Sequence, residues 1–309
     1  MAASEGRRTY GRSESELARA LERADVLINL SGASPLRDEH LHVPVRIYLE
    51  TDPVLPQIEI AAGRRRTIDH LSAHTHFFTF GENLGGADCE VPAVPFAYRP
   101  TRQPVVLDWW RPRASDFVRD DDRMLFTTIA NWRQTEKDIG WQGRTLRWSK
   151  DQRFEPLLGL PHRTSHRFEL ALAAVDDAAL VRLGAHGWHV IDAIALTKEL
   201  LPYRDYVWGS SAEFTVAKEQ NVRLRSGWFS DRSACYLAAG RPVVTEDTGF
   251  GAALPVGRGL IPFGTLDEAI AATDAIASDY ASHRDAAREI AAEYFSAPRV
   301  LSKLLTSLN

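Results

Sequence analysis

The sequence is poor in cysteine and has no long apolar run. Its 309 residues include only Cys89 and Cys235, which lie far apart and offer neither a disulfide framework nor the spacing of a metal site. No apolar stretch approaches the roughly 20 residues that span a bilayer. Residues 1–12 are polar and lack the apolar core of a signal peptide. These absences predict a cytoplasmic protein without an integral membrane segment.

The sequence also has no excess of positive charge. It has 37 Lys and Arg residues against 41 Asp and Glu, and its formal net charge is −4 at pH 7. This balance argues against a surface built to bind nucleic acid or an anionic membrane. His162 and His166 are close in the sequence, as are His186 and His189, but no third ligand stands at a matching spacing. No metal site is therefore predicted. No Gly-x-Gly-x-x-Gly pattern follows the first apolar strand, which disfavours a dinucleotide enzyme. We therefore expect neither a metal nor a cofactor.

What the sequence does contain is a regular alternation of helical and buried-strand patterns. A capped helix is predicted at about 14–24 and a longer helix at 54–73. Short apolar runs predict strands at 26–30, 45–49 and 77–80. Such alternation is typical of an α/β fold with a mostly parallel sheet.

In a parallel sheet, ligands bind beyond the carboxyl ends of the strands. Gly32 follows the first predicted strand, Asp52 follows the second, and His74 and Glu82 flank the third. These residues are therefore candidates to face a ligand.

A proline-rich, highly charged stretch at 99–123 interrupts the alternation. Its acidic run at 120–122 is better explained as a solvated turn than as a metal site. We predict the crossing between two domains at roughly 110–122, with an N-terminal domain at 1–115 and a C-terminal domain at 123–309. The second domain begins a new α/β series, with predicted strands at 126–129, 167–173, 188–191, 206–208, 242–245 and 260–263.

The segment 226–250 carries the most specific pattern. A glycine-bearing turn leads to Ser230 or Asp231, either of which can cap a helix. Gly240 and Pro242 then end that helix, and a strand follows. Because a helix N-terminus presents free N–H groups and the positive end of the helix dipole, it is suited to an anion.

Side chains beside this helix start suit a phosphate. Ser230 and Ser233 offer hydroxyl groups and Arg232 offers a guanidinium. The turn at 246–251 is expected beside them at the same sheet edge, and its glycines allow a ligand to approach the backbone. From the residues alone, an ordinary capped helix between two strands explains the pattern equally well.

The run Ala-Ala-Gly-Arg-Pro-Val-Val at 238–244, followed by Thr-Glu-Asp-Thr-Gly-Phe at 245–250, resembles the sugar-donor signature of GT-B glycosyltransferases. The resemblance is strong over about 205–300, where the helices at 266–289 are similar to the usual tail of that fold, and fainter over 24–190. It implies an α/β fold of two Rossmann-like domains facing a cleft. It also implies an enzyme that transfers a sugar from a nucleotide diphosphate sugar to an unknown acceptor, without an obligatory metal.

The resemblance and the pattern together indicate a set of residues for binding the sugar donor and its phosphates: Lys150, Ser230, Asp231, Arg232, Ser233, Glu246, Asp247, Thr248, Gly249 and Phe250. The glutamate that often holds the ribose in this fold aligns with Cys235, so that contact is missing or has moved to Asp231 or Glu246. Lys150 resembles one member of a basic pair that binds the diphosphate. Arg133 is a weaker partner for it and Lys218 a further candidate, although solvated surface lysines explain Lys150 and Lys218 equally well.

On the acceptor side, the candidates are Gly32 and Glu82. An inverting enzyme needs a base to take the proton of the acceptor, and Asp52 and His74 are the best placed residues for that role. A turn-forming aspartate and a packed histidine are the simpler explanations of these two residues. A retaining enzyme need not use such a base, so the stereochemistry stays open.

The sequence departs from the GT-B pattern at its start. The N-terminal domain of that fold normally opens with a strand and a glycine-rich loop, whereas this chain opens with polar residues and a helix. We expect an N-terminal domain that lacks its first strand, either because the gene model starts late or because the strand is lost. This departure and Cys235 keep open a non-catalytic binding protein of the same fold. A nucleotide-sugar epimerase or a phosphorylase is a further alternative.

Overall fold

Parallel β-strands form the framework of the computed structural model, which describes residues 11–112 and 123–308. From β1 to β12 the strands are Val26–Leu30, Val45–Glu50, His76–Thr79, Tyr98–Pro100, Leu125–Asn131, Ile139–Trp141, Arg144–Leu146, Arg167–Ala173, His189–Asp192, Ala212–Thr215, Val243–Glu246 and Leu260–Phe263. A first sheet has the order β1-β2-β3-β4, and a second has the order β12-β11-β10-β5-β8-β9. All pairs in both sheets are parallel, which confirms the predicted α/β fold.

Helices connect the strands and cover the sheets. From α1 to α15 they are Glu14–Glu22, Asp38–Leu41, Leu55–Ala61, Arg65–Ser72, Leu107–Trp110, Asp151–Phe154, Leu160–Arg163, Asp177–Ala185, Ala193–Thr197, Leu200–Gly209, Glu219–Arg223, Asp231–Ala238, Leu266–Ser278, Tyr280–Ile290 and Ala297–Thr306. None of the helices in the described residues is long and apolar enough to cross a membrane.

The first sheet is packed on both faces of its central strands. In β2, Ile47 and Leu49 lie in a cluster with Phe78, whereas the intervening Tyr48 lies in another cluster with Leu71 of α4. This division follows from the two-residue repeat of a strand. Within the described residues, β1 and β4 are the two edge strands of this sheet.

Aromatic side chains fill the core of the second sheet. Phe126 of β5 stacks on Phe168 of β8 at 5.4 Å between ring centroids, and Phe214 of β10 stacks on Phe263 of β12 at 5.3 Å. The parallel order brings the carboxyl ends of β5, β8, β10 and β11 to one edge, where the sequence predicts a ligand site.

The predicted helix at 54–73 is wrong as a single element. The chain forms α3 and α4 instead, separated at Gly63, which adopts a left-handed backbone with φ of +72°. A glycine accepts this conformation without steric strain and so ends α3.

The predicted strand at 206–208 is also wrong, because these residues belong to α10. Tyr203 and Val207 are one helical turn apart and contact the same core cluster, which Trp208 also joins. A short aromatic run suits a buried helix face as well as a strand. Tertiary packing decides between the two.

Sequence patterns did not predict β10 at Ala212–Thr215, and they also missed two smaller elements. Strand β4 is only three residues long, and β6 and β7 form a hairpin around Gln142 and Gly143, which both have positive φ. That turn carries the chain back toward Lys150 and the ligand edge.

The end of the chain returns to the first sheet. Leu304 of α15 packs with Ile47 and Phe78, and Val105 exchanges backbone hydrogen bonds with Phe295 and Ala297 (2.7 and 2.9 Å). These contacts join the two sheets. The crossing predicted at 110–122 lies mostly outside the described residues, as does the acidic run at 120–122.

We predict that Gly259→Ala destabilises the protein more than Gly257→Ala. Both glycines have positive φ, but a Cβ at Gly259 would lie 2.5 Å from the backbone nitrogen of Ala287, whereas Gly257 has open space. The left-handed backbone costs about 1–2 kcal/mol in either variant, and crowding adds about 1–3 kcal/mol at Gly259. Urea unfolding measures both free energies, and equal values would contradict the close approach of the β12 entry to α14.

Candidate functional site

A cavity of about 580 Å³ opens at the carboxyl edge of the second sheet, and we call it the cleft. Its floor includes Ile129 and Ala130 at the end of β5 and Ala173 at the end of β8. Asp52, which follows β2 of the first sheet, lines the opposite side. The cleft therefore lies between the two sheets.

Lys150 immediately precedes α6 and lines the cleft, although the residue is only 8% exposed. Its backbone N–H donates to the carbonyl of Trp132 (3.3 Å). Burial holds the pKa of the Lys150 ammonium well below its usual value, and the charges of Arg232 and Lys218 add to this effect. Within the described residues, no carboxylate forms an ion pair with Lys150.

Lys218 follows β10 and reaches across the cleft. Its ammonium forms an ion pair with Asp52 of the first sheet and lies 3.5 Å from the ring centroid of Trp148. Lys137 approaches the same ring at 4.6 Å, so Trp148 contacts two cations. Burial lowers the pKa of Lys218 even though Asp52 opposes the shift.

Helix α12 begins at the cleft with Ser230 in its N-cap position. The Ser230 backbone is extended, and its hydroxyl makes no capping hydrogen bond, so it does not cover the N–H groups of the first turn. Asp231 is open to the cleft. Enclosure by the cleft walls and repulsion from Asp52 raise the pKa of the Asp231 carboxyl to about 6, against the attraction of Arg232 and Lys218.

Arg232 also lines the cleft, but its guanidinium is largely engaged within the protein. Nε donates to Oε1 of the fully buried Glu213 (2.5 Å), Nη1 to the carbonyl of Ile129 (2.5 Å) and Nη2 to Oγ1 of Thr215 (2.9 Å). The next residue, Ser233, is fully buried and has no hydrogen-bond partner for its hydroxyl among the described residues. Arg232 therefore holds the ends of β5 and β10 together as well as facing the cleft.

The turn that follows β11 was predicted to bind the sugar donor, but it does not line the cleft. None of its five predicted site residues does so: Glu246, Asp247, Thr248, Gly249 and Phe250. Glu246 is 3% exposed and pairs with Arg153. Thr248 donates to the carbonyl of Trp228 (2.6 Å), and Phe250 lies in a core cluster. Their contact with a sugar donor stays a prediction.

Asn83 of the first sheet occupies the space beside two glycines of this region. Its Nδ2 donates to the carbonyls of Gly249 and Arg225 (2.9 and 3.2 Å), and its backbone N–H donates to Ser226 (3.1 Å). A Cβ at Gly249 or Gly227 would come within 2.7 Å of the Asn83 side chain. These glycines therefore allow the two sheets to approach each other.

Of the two candidate bases, Asp52 lies in the cleft and His74 does not. The His74 ring lies 3.0 Å from Nδ2 of Asn29 and 3.1 Å from the carbonyl of His70, and burial lowers its pKa. His74 is 6% exposed and helps to pack α4 against the first sheet. This environment agrees with the simpler of the two explanations of His74, which is a histidine packed in the protein.

The acceptor-side candidates lie in other cavities. Gly32 lines a cavity of about 790 Å³ beside α4, which is larger than the cleft but contains none of the cleft residues. Glu82 lines a cavity of about 360 Å³ and makes two hydrogen bonds with Arg102 (2.6 and 2.7 Å). Arg133 bonds to Asp151 and lies outside the cleft.

Sequence reasoning missed Trp148, Lys137 and Trp228 as members of the cleft. The Trp-Ser-Lys step at 148–150 is the signal that links Trp148 to Lys150. Trp228 has no such local signal. Its position is set by a long-range contact, in which its indole N–H donates to the carbonyl of Thr51 after β2 (2.9 Å). In residues 11–112 and 123–308, no group of three His, Cys, Asp or Glu side chains could hold a metal ion.

Several solved structures resemble this chain. HepE of Anabaena in complex with UDP and glucose matches with a TM-score of 0.57 at 12% identity, over 95% of this chain and 80% of its own. AviGT4, a glycosyltransferase involved in avilamycin A biosynthesis, matches with a TM-score of 0.54 at 13% identity, over 95% and 77%. TarM of S. aureus, in complex with fondaparinux, α-GlcNAc-glycerol and UDP, matches with a TM-score of 0.61 at 11% identity, over 96% and 58%.

These similarities confirm the predicted fold of GT-B glycosyltransferases. No family model and no curated protein matches the sequence. At such low identity the likeness establishes the fold alone, and the chemistry has to be argued from the residues of the cleft.

We predict that Asp231→Asn stabilises the protein near pH 7.5 but not near pH 4. The folded-state pKa of about 6 lies above the usual 3.8, so the folded protein holds this proton more tightly than the unfolded chain does. The associated stability is present at low pH and is lost as the pH rises from about 4 through about 6. Because Asp231 is open to cleft water, we expect a gain of at most about 1 kcal/mol. Urea unfolding at both pH values measures it, and an equal gain at both would contradict the raised pKa.

Proposed function

We propose that this protein, which has the fold of GT-B glycosyltransferases, transfers a sugar from a nucleotide diphosphate sugar to an acceptor. The observation that carries the proposal is the buried ammonium of Lys150, which lines the cleft without a carboxylate partner in the described residues. Its counter-charge would be the diphosphate of the sugar donor. HepE, which shares the fold, was crystallised with UDP.

Electrostatics favour an anion at this position. A buried ammonium that lacks a partner is costly, so the cleft is poised to gain free energy from a negative ligand. Lys218, Arg232 and the start of α12 add positive charge around the same space. A diphosphate with several acceptor oxygens matches this arrangement of donors.

The same groups would promote the chemical step. When the bond between the sugar and the diphosphate breaks, negative charge develops on the leaving oxygen. Lys150 is enclosed and Lys218 pairs with Asp52 before the reaction, so they would stabilise that charge with little reorganisation. Protein cations would in this way supply what a metal ion supplies in other phosphate chemistry.

Asp52 is our candidate for the base that takes the proton of the acceptor hydroxyl. It lines the cleft opposite Lys150 and Asp231, and its side chain is 41% exposed. Its ion pair with Lys218 gives it a second role, because the pair neutralises one cation of the cleft. Loss of the base would lower turnover, whereas loss of the ion pair would change the affinity for the nucleotide.

We predict that Lys150→Met weakens nucleoside diphosphate binding by at least about tenfold while leaving the protein folded. Methionine keeps an unbranched side chain of similar length and removes the charge, so the free variant should be as stable as the wild type or more stable. A bound ligand at a hundredfold excess over its Kd adds roughly 2.7 kcal/mol of stability, and the variant should need at least about tenfold more ligand. Thermal shifts against a panel of nucleoside diphosphates and their sugars measure this.

Lys303→Met is the matched control, because Lys303 is an exposed lysine of α15 outside the cleft. It should leave nucleotide binding unchanged. If the wild type shows no shift with any nucleotide although it is well folded, the proposed sugar-donor site is wrong.

We predict that Asp52→Asn lowers turnover by at least about a hundredfold while nucleotide affinity stays the same or rises. The amide cannot accept the proton, and it releases Lys218 to the diphosphate. Slow hydrolysis of the nucleotide sugar, in which water replaces the acceptor, measures turnover, and calorimetry measures Kd. Unchanged turnover would leave Asp52 only the role of partner to Lys218. Nucleotide binding without turnover in any assay would instead favour a binding protein on this fold.

A further inference from the structure

Glu246 joins the two chain segments that carry the cleft lysines. It ends β11 and does not line the cleft, and its carboxylate is almost completely buried. One segment is α6, which Lys150 immediately precedes. The other is the end of β10, where Lys218 follows.

Arg153 forms the link to Lys150. Its guanidinium binds Glu246 through both Nε and Nη2, with Nε donating to Oε2 at 3.3 Å. The backbone N–H of Arg153 donates to the carbonyl of Lys150 (2.9 Å), so both residues belong to the first turn of α6. A bidentate pair fixes the orientation of that turn more tightly than a single hydrogen bond does.

Ala217 forms the link to Lys218. Its backbone N–H donates to Oε2 of Glu246 (3.1 Å), inside the protein. Ala217 is fully buried and immediately precedes Lys218, so the position of this N–H sets the point from which the Lys218 side chain leaves the backbone. One carboxylate therefore fixes the origins of both lysines.

We propose that Glu246 is a positioning residue that sets the spacing of Lys150 and Lys218 for the two phosphates of the sugar donor. This inference rests on the proposed function. Glu246 does not line the cleft, and both of its oxygens are engaged by Arg153 and Ala217. It therefore acts through these two partners.

The test is Glu246→Gln, read out as the ratio of the Kd values of a nucleoside monophosphate and its diphosphate. Glutamine keeps the size and can still accept from Ala217, but its amide cannot accept both bonds of Arg153. A diphosphate needs both lysines at the right distance, whereas a monophosphate needs only one. We expect the ratio to fall by about tenfold. A general loss of structure would weaken both ligands alike.

Glu155→Gln is the matched control, because it removes a carboxylate that pairs with Arg182 just after α6, away from the cleft. It should leave the ratio unchanged. In the background of Lys150→Met, Glu246→Gln should lower diphosphate affinity by less than it does in the wild type, because one of the two lysines that Glu246 positions is gone.

The outcomes separate the two proposals. If the wild type binds a nucleoside diphosphate and Glu246→Gln keeps the ratio, the positioning role is overturned and the proposed function stands. If the wild type binds no nucleotide, the proposed function fails and the positioning role fails with it. If Glu246→Gln does not fold, Arg153→Lys decides, since it keeps the charge and one bond: a lower ratio supports the role and an unchanged ratio overturns it.

Discussion

The cleft depends on positive charge that is buried without a full set of counter-charges. Lys150, Lys218 and Arg232 meet at one sheet edge, and each is mostly enclosed. Like charges in a partly dry site repel one another, so the surrounding structure has to hold them. Glu213 pairs with Arg232 and Asp52 pairs with Lys218, which leaves Lys150 as the cleft cation without an ion pair in residues 11–112 and 123–308.

This arrangement lowers stability in favour of a function. A core built only for stability would replace Lys150 by an apolar residue, since removing an unpaired buried charge is often neutral or favourable. Local violations of good packing and pairing are expected at functional sites. Of the cleft cations, Lys150 is the clearest such case, because it is buried and forms no ion pair among the described residues.

Much of the fold could be predicted because buried strands and capped helices leave local patterns. Helix α12 follows from Ser230 at its start and Gly240 at its end, and β2 from its apolar run. The site was only partly predictable. Lys150 and Arg232 sit in recognisable local steps, and Trp148 stands two residues before Lys150. Lys137 and Trp228, by contrast, reach the cleft through tertiary contacts that no local spacing encodes. The 246–250 turn shares its sheet edge with the cleft, yet Asn83 covers it.

The ion pair between Asp52 and Lys218 couples the two sheets through the proposed chemistry. A diphosphate drawn to Lys218 competes with Asp52 for the same ammonium, because one cation cannot satisfy both anions at full strength. Binding of the sugar donor would thus weaken the hold on Asp52 and leave its carboxylate freer to accept a proton. Asn83 and Trp228 keep the sheets close enough for this competition, since each spans the gap between them with hydrogen bonds. An acceptor base that is released only when the sugar donor is bound would limit wasteful reaction in the empty cleft.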